Sequence, residues 1–253
     1  MNKFTPPLEY REDIKKRIKK DNQNETLDSV KKNLLDHMNW SKYAYNFLWF
    51  GRPIIQIPQD TITFQEIIWE VKPDLIIETG IAHGGSIVFS ASMLALLETF
   101  ELVVNPLVIG IDIDIREHNL NAIKKHPASK WINMIEGSSI SEEVITKVEK
   151  IAKNKKKILL FLDSNHTHSH VLAELNAYTH FVSLNSYCVI LDTGIEDIDE
   201  SAIAKGRSWG KGNSPKSALN EFLQNNDNFI VDNFYHDKAW ITSAPGGIIK
   251  RIK

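Results

Sequence analysis

The sequence predicts an α/β fold in which a mostly parallel β-sheet carries helices on both faces. Short apolar runs alternate along the chain with segments whose apolar residues recur at helical spacing. The run at 75–77 is apolar at every position, which is typical of a strand buried on both faces of a parallel sheet. The chain closes with two strand-like segments, 229–231 and 241–249, that no obvious helix joins. This ending predicts a seven-stranded sheet with an antiparallel edge strand.

Composition narrows the class of protein. The 253 residues suit one large α/β domain with an extension, or two small domains, and 42% hydrophobic residues suffice for a substantial core. The net charge of −2 gives no global field that would draw the protein to nucleic acid. The single cysteine, Cys188, is expected to be a buried core thiol. The polar N-terminus and the lack of an apolar run of about 18 residues predict a cytoplasmic protein without a signal peptide or membrane span.

The first 45 residues predict a helical extension. The basic run Lys15–Lys20 is expected to be a solvated helix face, although it could also dock an anionic partner or membrane. The segment Thr26–Met38 has helical spacing, and we expect it to pack on the main domain or on another subunit of a homo-oligomer. The aromatic segment 40–59 that follows could cap the core or form one wall of a substrate pocket. A helix over Asp60–Val71 then leads into the first strand of the sheet.

A glycine-rich turn joins the first strand to the next helix. Glycines allow a sharp turn and leave room for a ligand against bare main chain, and the helix N-terminus offers unpaired N–H groups. Any α/β protein can carry glycine at such a turn, so a purely structural role is the alternative. We expect these residues of the turn to face a nucleotide-like cofactor: Glu78, Gly80, His83, Gly84 and Ser86.

The spacing of these glycines distinguishes between cofactors. Gly80-x-x-x-Gly84-Gly85 is not the G-x-G-x-x-G of dinucleotide enzymes. The pattern E-x-G, with the acid ending the strand, resembles the first motif of class I S-adenosylmethionine-dependent methyltransferases, which have a Rossmann-like fold. The resemblance implies S-adenosylmethionine as the cofactor, with the turn facing its methionine part.

Later strands end in polar residues that could complete the cofactor site. Strands are expected at 107–112, 131–136, 157–163 and 187–192. Asp112 ends the second strand, where ribose hydroxyls are held in nucleotide-cofactor folds, and Asp114 is its rival; either acid could instead cap a helix. Ser138 and Ser139 follow the third strand, where the turn of a methyltransferase borders the adenine, and either could equally be an N-cap.

Residues 46–253 resemble the cephalosporin hydroxylase family and the similar rhamnosyl and other sugar O-methyltransferases. The glycine stretch is quite specific and the other motifs are weaker individually. The segments that carry the resemblance are Trp49–Pro53, Pro73–Ser86, Asp163–Thr167, His170–Leu175 and Asn213–Lys216. The resemblance implies a methyltransferase domain over 46–253 that transfers a methyl group to a hydroxyl of a small molecule or sugar. Some members of the family hold a divalent metal, usually assigned as magnesium.

A metal site is also expected from the residues themselves. Asp163 and Asp192 end neighbouring strands, so their carboxylates should converge beside the cofactor, which Asp163 is also expected to contact. Two carboxylates with several waters suit Mg²⁺. The family pattern has an acidic pair at the fifth strand, where this chain has Leu191-Asp192, so the third ligand is open. We expect Thr193 there, with Glu196 or Asp197 as substitutes; the alternative is that the two aspartates only cap turns.

His166 is the candidate catalytic base. It lies three residues after Asp163, and catechol-type methyltransferases, which this sheet edge resembles, place a basic residue there. A histidine suits proton removal at neutral pH. The alternative is a solvated loop histidine or a neighbour of a helix N-cap. His168 and His170 are weaker candidates.

Two other classes of protein remain as alternatives. His166-x-His168-x-His170 imitates part of a zinc hydrolase cluster, although a helix beginning near His170 should point the rings apart. A non-catalytic scaffold with this fold would lack the base and the metal acids.

The irregular segment 194–213, with three glycines around Trp209, predicts a mobile lid over acceptor and cofactor.

Overall fold

The computed structural model describes residues 5–198 and 206–253. Within these ranges the α-helices are α1 (Leu8–Asp21), α2 (Glu25–Trp40), α3 (Pro58–Val71), α4 (Gly85–Thr99), α5 (Glu117–Lys124), α6 (Glu142–Ala152), α7 (His168–Tyr178), α8 (Pro215–Gln224) and α9 (Asn233–Ala239). The strands are β1 (Leu48–Trp49), β2 (Arg52–Pro53), β3 (Leu75–Thr79), β4 (Leu107–Asp112), β5 (Ile132–Glu136), β6 (Ile158–Leu162), β7 (Tyr187–Ile190), β8 (Phe229–Val231) and β9 (Ile248–Arg251).

The main sheet has seven strands in the order β5-β4-β3-β6-β7-β9-β8, and β1 and β2 form a separate antiparallel hairpin. β3, β4, β5, β6 and β7 pair in parallel. The predicted α/β class is therefore confirmed. The antiparallel strand is β9, which pairs with both β7 and β8 and so lies one position inside the edge.

Apolar side chains cover both faces of the sheet, because successive residues of a strand point to opposite sides. In β3, Ile76 belongs to one apolar cluster, whereas Leu75 and Ile77 belong to the other. All five residues of β3 are buried. Burial on both faces explains why this strand has no polar alternation in the sequence. It also fixes the carboxyl end of β3 at the centre of the molecule.

The C-terminal part differs from the sequence prediction. The expected strand at 241–249 begins only at Ile248, because Pro245 cannot donate a ladder hydrogen bond and Gly246 has a φ of +72°. The segment before it therefore turns back toward α3. The short helix α9, whose N-cap Asp232 accepts a hydrogen bond from the Phe234 N–H, joins the last two strands and was not predicted.

The two N-terminal helices lie outside the main apolar core. α1 has no buried residue, so its basic run is a solvated face. α2 is anchored by Met38, which packs with Ile57 and Ile241. Val30 and Leu34 of α2 stay exposed, and self-association through this region stays a prediction. Among the helices of the described ranges, none combines the length and apolar character needed to cross a membrane.

Gly80 is required where β3 meets β6. Its φ is +91°, and a Cβ there would lie 2.1 Å from the carbonyl oxygen of Asp163. We expect Gly80→Ala to lower the free energy of unfolding by more than about 3 kcal/mol, from backbone strain plus the clash. Gly51→Ala is the matched control, since Gly51 has a φ of +82° but nothing within 4 Å of the added Cβ. Urea unfolding of both variants measures the difference, and equal losses would contradict the steric argument.

Candidate active site

The candidate active site lies at the carboxyl edge of the parallel strands. Thr79, at the end of β3, pairs with Ile111 of β4 and with Leu162 of β6, so the loops after these strands meet. A cavity of about 210 Å³ opens there. Its walls include six of the residues expected from the sequence, namely Gly80, His83, Ser86, Asp163, His166 and Asp192.

The glycine turn presents the N-terminus of α4 to this cavity. Gly84 is the N-cap with a φ of +84°, and it has no side chain that could satisfy the N–H groups of the first helical turn. The N–H groups of Gly85 and Ser86 therefore remain available to an anionic group. Arg52 holds the backbone of His83 in place, because the His83 carbonyl oxygen accepts hydrogen bonds from the Arg52 guanidinium at 2.9 and 2.5 Å.

Glu78 is a buried acid with unused hydrogen-bonding capacity. Its side chain is only 3% exposed, and Oε2 accepts a hydrogen bond from the Ser90 hydroxyl at 3.2 Å. Oε1 is buried and has no partner within the described ranges. Burial raises the pKa of Glu78 to about 7. An ammonium group would satisfy Oε1 and favour the ionised carboxylate, so the site fits the amine of the methionine part of S-adenosylmethionine.

The raised pKa of Glu78 predicts that the cofactor-free protein loses stability as pH rises. Its carboxyl keeps a proton in the folded state up to pH of about 7, whereas the ordinary value is 4.5. The contribution of Glu78 to the free energy of unfolding is fully present below pH 4.5 and is lost as the pH rises through about 7. The free energy of unfolding falls by about 3 kcal/mol over this interval. Glu78→Gln cannot ionise and should remove this part of the dependence in urea unfolding at pH 5 and 7.5, while the part that comes from the raised pKa values of Asp60 and Asp163 remains. An unchanged slope would show that Glu78 is not its source.

The two aspartates after β4 have different environments. Oδ2 of Asp112 accepts hydrogen bonds from the N–H groups of Ile81 and Ala82, at 2.8 and 3.1 Å. The Asp112 carboxylate thus holds the backbone of the glycine turn in place. Asp114 is 69% exposed and pairs with Arg116 at 3.9 Å. Neither acid caps α5, whose N-cap is Arg116. Asp112 is therefore tied to the glycine turn and Asp114 is not, and the ribose-facing role of either acid stays a prediction.

The serines after β5 do not cap the next helix either, since the N-cap of α6 is Ser141. Ser138 contributes its carbonyl oxygen to that cap. Ser139 is buried, and its hydroxyl lies 3.1 Å from Nε2 of His170. His170 in turn lies 3.4 Å from the buried carboxylate of Glu174. Ser139 is therefore part of a network that ties the β5 turn to α7.

Three residues form the potential metal centre of the described ranges. Asp163, His166 and Asp192 each offer one ligand atom, and these atoms lie within 4.8 Å of one another. Burial raises the pKa of Asp163 well above its ordinary value, and the nearby carboxylate of Asp192 raises it further. A cation would relieve this repulsion, so the donor set fits a divalent metal. The expected third ligand Thr193 is turned away, because its hydroxyl donates to the Pro245 carbonyl.

The three histidines of the β6–α7 segment have separate partners. Nε2 of His166 lies 3.2 Å from Oδ2 of Asp192. The ring nitrogens of His168 contact Ser217 and Glu221, at 2.8 and 3.0 Å. Among the described residues, the rings thus do not converge as a zinc hydrolase cluster requires.

The segment after β7 supplies one further wall. The ring of Trp209 packs edge-on against His166 at 4.9 Å between centroids, and the Arg207 guanidinium lies 4.7 Å from the Trp209 ring. Glu196 binds the Gly212 N–H and the Ser214 hydroxyl, and therefore does not take part in the metal cluster. The predicted lid spans 194–213, and its central residues 199–205 lie outside the described ranges.

Two site residues were not predicted from the sequence. Asp60 is fully buried in the first turn of α3, and its Oδ2 accepts hydrogen bonds from the N–H and hydroxyl of Ser243, which lines the cavity. Burial raises the pKa of Asp60 to about 6. In the sequence it reads as an ordinary first-turn acid. Arg52 is the second such residue. It belongs to a motif that carries the family resemblance, but it is hydrogen-bonded to His83 of the glycine turn, 31 residues later in the chain, and local patterning does not predict such a contact.

Comparisons with known proteins agree with this fold. A rhamnosyl O-methyltransferase of Mycobacterium tuberculosis is 28% identical over 220 residues, which cover 84% of this chain and 79% of the relative. A solved CmcI structure with Mg and S-adenosylmethionine shares the fold at a TM-score of 0.51 and 16% identity, covering 83% of this chain and 78% of CmcI. An O-methyltransferase from Bacillus cereus with bound S-adenosylhomocysteine has a TM-score of 0.52 at 10% identity, covering 88% of this chain and 91% of that one.

The fold is that of the class I S-adenosylmethionine-dependent methyltransferases. Within that class, the chain belongs to the Rhamnosyl O-methyltransferase/CmcI family, whose model matches residues 41–252. It is accordingly an S-adenosylmethionine-dependent O-methyltransferase.

Proposed function

We propose that the protein methylates a hydroxyl of a rhamnosyl or closely related sugar. The observation that carries the proposal is that three groups lie close together at the carboxyl edge of the parallel strands, where Ser86 and Asp163 adjoin both Glu78 and the cavity. These are the unpartnered carboxylate oxygen of Glu78, the open N-terminus of α4, and the cluster of Asp163, His166 and Asp192. The rhamnosyl acceptor is supported by the names of the mycobacterial relatives. In this proposal 46–253 form the catalytic domain and 1–45 are an extension.

The cofactor would lie across the ends of β3, β4 and β5. Glu78 binds the methionine ammonium, and the N–H groups at the start of α4 bind its carboxylate. Asp112 holds the ribose hydroxyls, with Ser138 and Ser139 beside the adenine. When bound, S-adenosylmethionine would supply a sulfonium methyl group whose carbon the acceptor oxygen attacks in line, while the carbon–sulfur bond breaks and S-adenosylhomocysteine leaves.

His166 would take the proton of the acceptor hydroxyl. Its Nε2 lies 3.2 Å from Asp192 Oδ2, and a neutral ring that donates this hydrogen bond keeps Nδ1 free to accept a proton. The contact with Trp209 further restricts the ring. Asp163 and Asp192 would hold Mg²⁺, which, when bound, lowers the pKa of a coordinated hydroxyl.

A direct assay tests the proposed acceptor. The protein is incubated with S-adenosylmethionine, Mg²⁺ and either p-nitrophenyl α-L-rhamnoside or the matching glucoside, galactoside and mannoside. Mass spectrometry should detect one added methyl group on the rhamnoside, with formation of S-adenosylhomocysteine. Methylation of another sugar in preference to the rhamnoside would overturn the assignment of the acceptor.

Asp112→Ala should weaken S-adenosylmethionine binding at least about tenfold, because it removes charge-assisted hydrogen bonds worth about 1.5–3 kcal/mol. Titration calorimetry measures the affinity. Asp114→Ala is the matched control, since the exposed Asp114 pairs only with Arg116 among the described residues. A larger effect of Asp114→Ala would make Asp114 the ribose ligand. Binding of NADH in place of S-adenosylmethionine would overturn the cofactor assignment itself.

A further inference from the structure

The candidate active site is the innermost of three neighbouring cavities. This inner cavity shares Asp192 and Ser243 with a middle cavity of about 200 Å³. The middle cavity shares Leu35 and Thr242 with an outer cavity of about 880 Å³, which lies between α2 and the segment that follows α9. The three cavities therefore adjoin one another in series between the reacting groups and the N-terminal extension.

The sizes of the cavities indicate where an acceptor can lie. The inner cavity of about 210 Å³ is walled by the glycine turn and must also take the methionine end of the cofactor. A ligand pocket usually has about 300–1,000 Å³, a range that the outer cavity meets and the inner one does not. An acceptor that reaches His166 and is larger than one sugar unit would therefore extend outward, toward α2.

The outer cavity has an aromatic platform. Trp240 lines it and is 49% exposed, with the ammonium of Lys31 at 5.9 Å from its ring. Its backbone has a φ of +61°, an unusual value for a bulky residue and one that proteins tend to keep at functional sites. An exposed indole face packs against the C–H face of a pyranose, which is an apolar surface ringed by hydroxyls.

The charges of the outer cavity select for a neutral ligand. Among the described residues, five carboxylates and three ammonium groups line it, and they belong to Asp28, Asp36, Glu196, Asp197, Asp237, Lys31, Lys32 and Lys211. Asp197 is also paired with Lys216, so these groups leave an excess of one negative charge. Carboxylates accept and ammonium groups donate hydrogen bonds to sugar hydroxyls. The excess of carboxylates would repel the phosphates of a nucleotide sugar or a phospholipid.

We propose that the outer cavity binds the further sugar units of a neutral oligosaccharide whose terminal rhamnosyl unit is methylated at His166. This inference rests on the function proposed above, and it makes the acceptor an assembled glycan. The methyl transfer then follows the glycosyl transfer that attaches the terminal sugar. Trp240 determines the preference for the longer acceptor.

Titration calorimetry on the protein loaded with S-adenosylhomocysteine tests this inference. The probes are methyl α-L-rhamnoside, a rhamnose-terminated trisaccharide long enough to reach past the middle cavity, and a nucleoside-diphosphate rhamnose. The trisaccharide should bind at least about tenfold more tightly than the monosaccharide, and Trp240→Ala should remove that advantage while leaving monosaccharide affinity unchanged. Trp40→Ala is the matched control, because Trp40 is similarly exposed at 52% and lies outside the cavity lining.

The outcomes separate this inference from the proposed function. Equal affinities for monosaccharide and trisaccharide, or tightest binding of the nucleotide sugar, overturn the outer subsite even if rhamnosides are methylated. Trp240-dependent binding of the trisaccharide without methylation of any rhamnoside supports the subsite and overturns the proposed reaction. Absence of both binding and methylation overturns both.

Discussion

Replacing His166 with alanine should lower turnover at least about 100-fold, because loss of a general base typically costs about 10²–10⁴ in rate. The ring is placed for this role by Asp192 at 3.2 Å and by the edge of Trp209. Affinity for S-adenosylmethionine should stay nearly unchanged, since the proposed cofactor contacts come from α4 and from the ends of β3, β4 and β5. Steady-state rates and titration calorimetry measure the two quantities separately.

His168→Ala is the matched control for this prediction. His168 is a neighbouring histidine whose ring is bound to Ser217 and Glu221, away from the cavity. The control should keep wild-type turnover. Mg²⁺ affinity of His166→Ala adds a second readout: a base leaves it unchanged, whereas a ligand loses it. Wild-type turnover of His166→Ala would exclude His166 as the base and favour activation of the acceptor at Asp163 and Asp192.

Asp192→Ala should lower both Mg²⁺ affinity and turnover, each by at least about 100-fold. It removes one of two carboxylates of the cluster, and it also removes the partner that orients His166. Because two functions are lost together, turnover should not return to the wild-type level at saturating Mg²⁺. Calorimetric titration with Mg²⁺ and rates over a range of Mg²⁺ concentrations provide the measurements.

The control for Asp192 is Asp227→Ala, which removes an exposed carboxylate that pairs with Lys253 far from the cluster. This variant should bind Mg²⁺ and turn over as the wild type does. Full activity of the wild-type protein after exhaustive chelation, with Asp192→Ala still impaired, would assign Asp192 to orienting His166 and remove the metal from the proposal.

The sequence predicted the sheet well because its strands are buried on both faces. A strand such as Leu75–Thr79 is recognisable from its residues alone, since burial of every residue selects apolar side chains throughout. The end of a parallel strand also predicts where its polar residues meet. For that reason the pattern of strands was sufficient to place Glu78, Asp112, Asp163 and Asp192 at one edge of the sheet.

Features that depend on contacts distant in sequence could not be predicted. Thr193 was expected at the metal because it follows Asp192, but its hydroxyl is bound to Pro245, which is 52 residues away. Asp60 reads as a first-turn acid, although it is bonded to Ser243, which lies 183 residues later in the chain. The sequence also does not show that β9 inserts between β7 and β8.

The sequence by itself therefore determined the α/β class, the edge of the sheet at which the cofactor site was expected, and the methyltransferase family. Local apolar patterning and a continuous glycine motif carry that information. Only the tertiary structure decided which side chains share a cavity. His166 joined the carboxylates in place of Thr193, and α2 was brought beside Trp240 to wall the outer cavity. The physical reason is that both arrangements depend on packing between segments far apart in the chain. The local pattern of residues does not predict such packing.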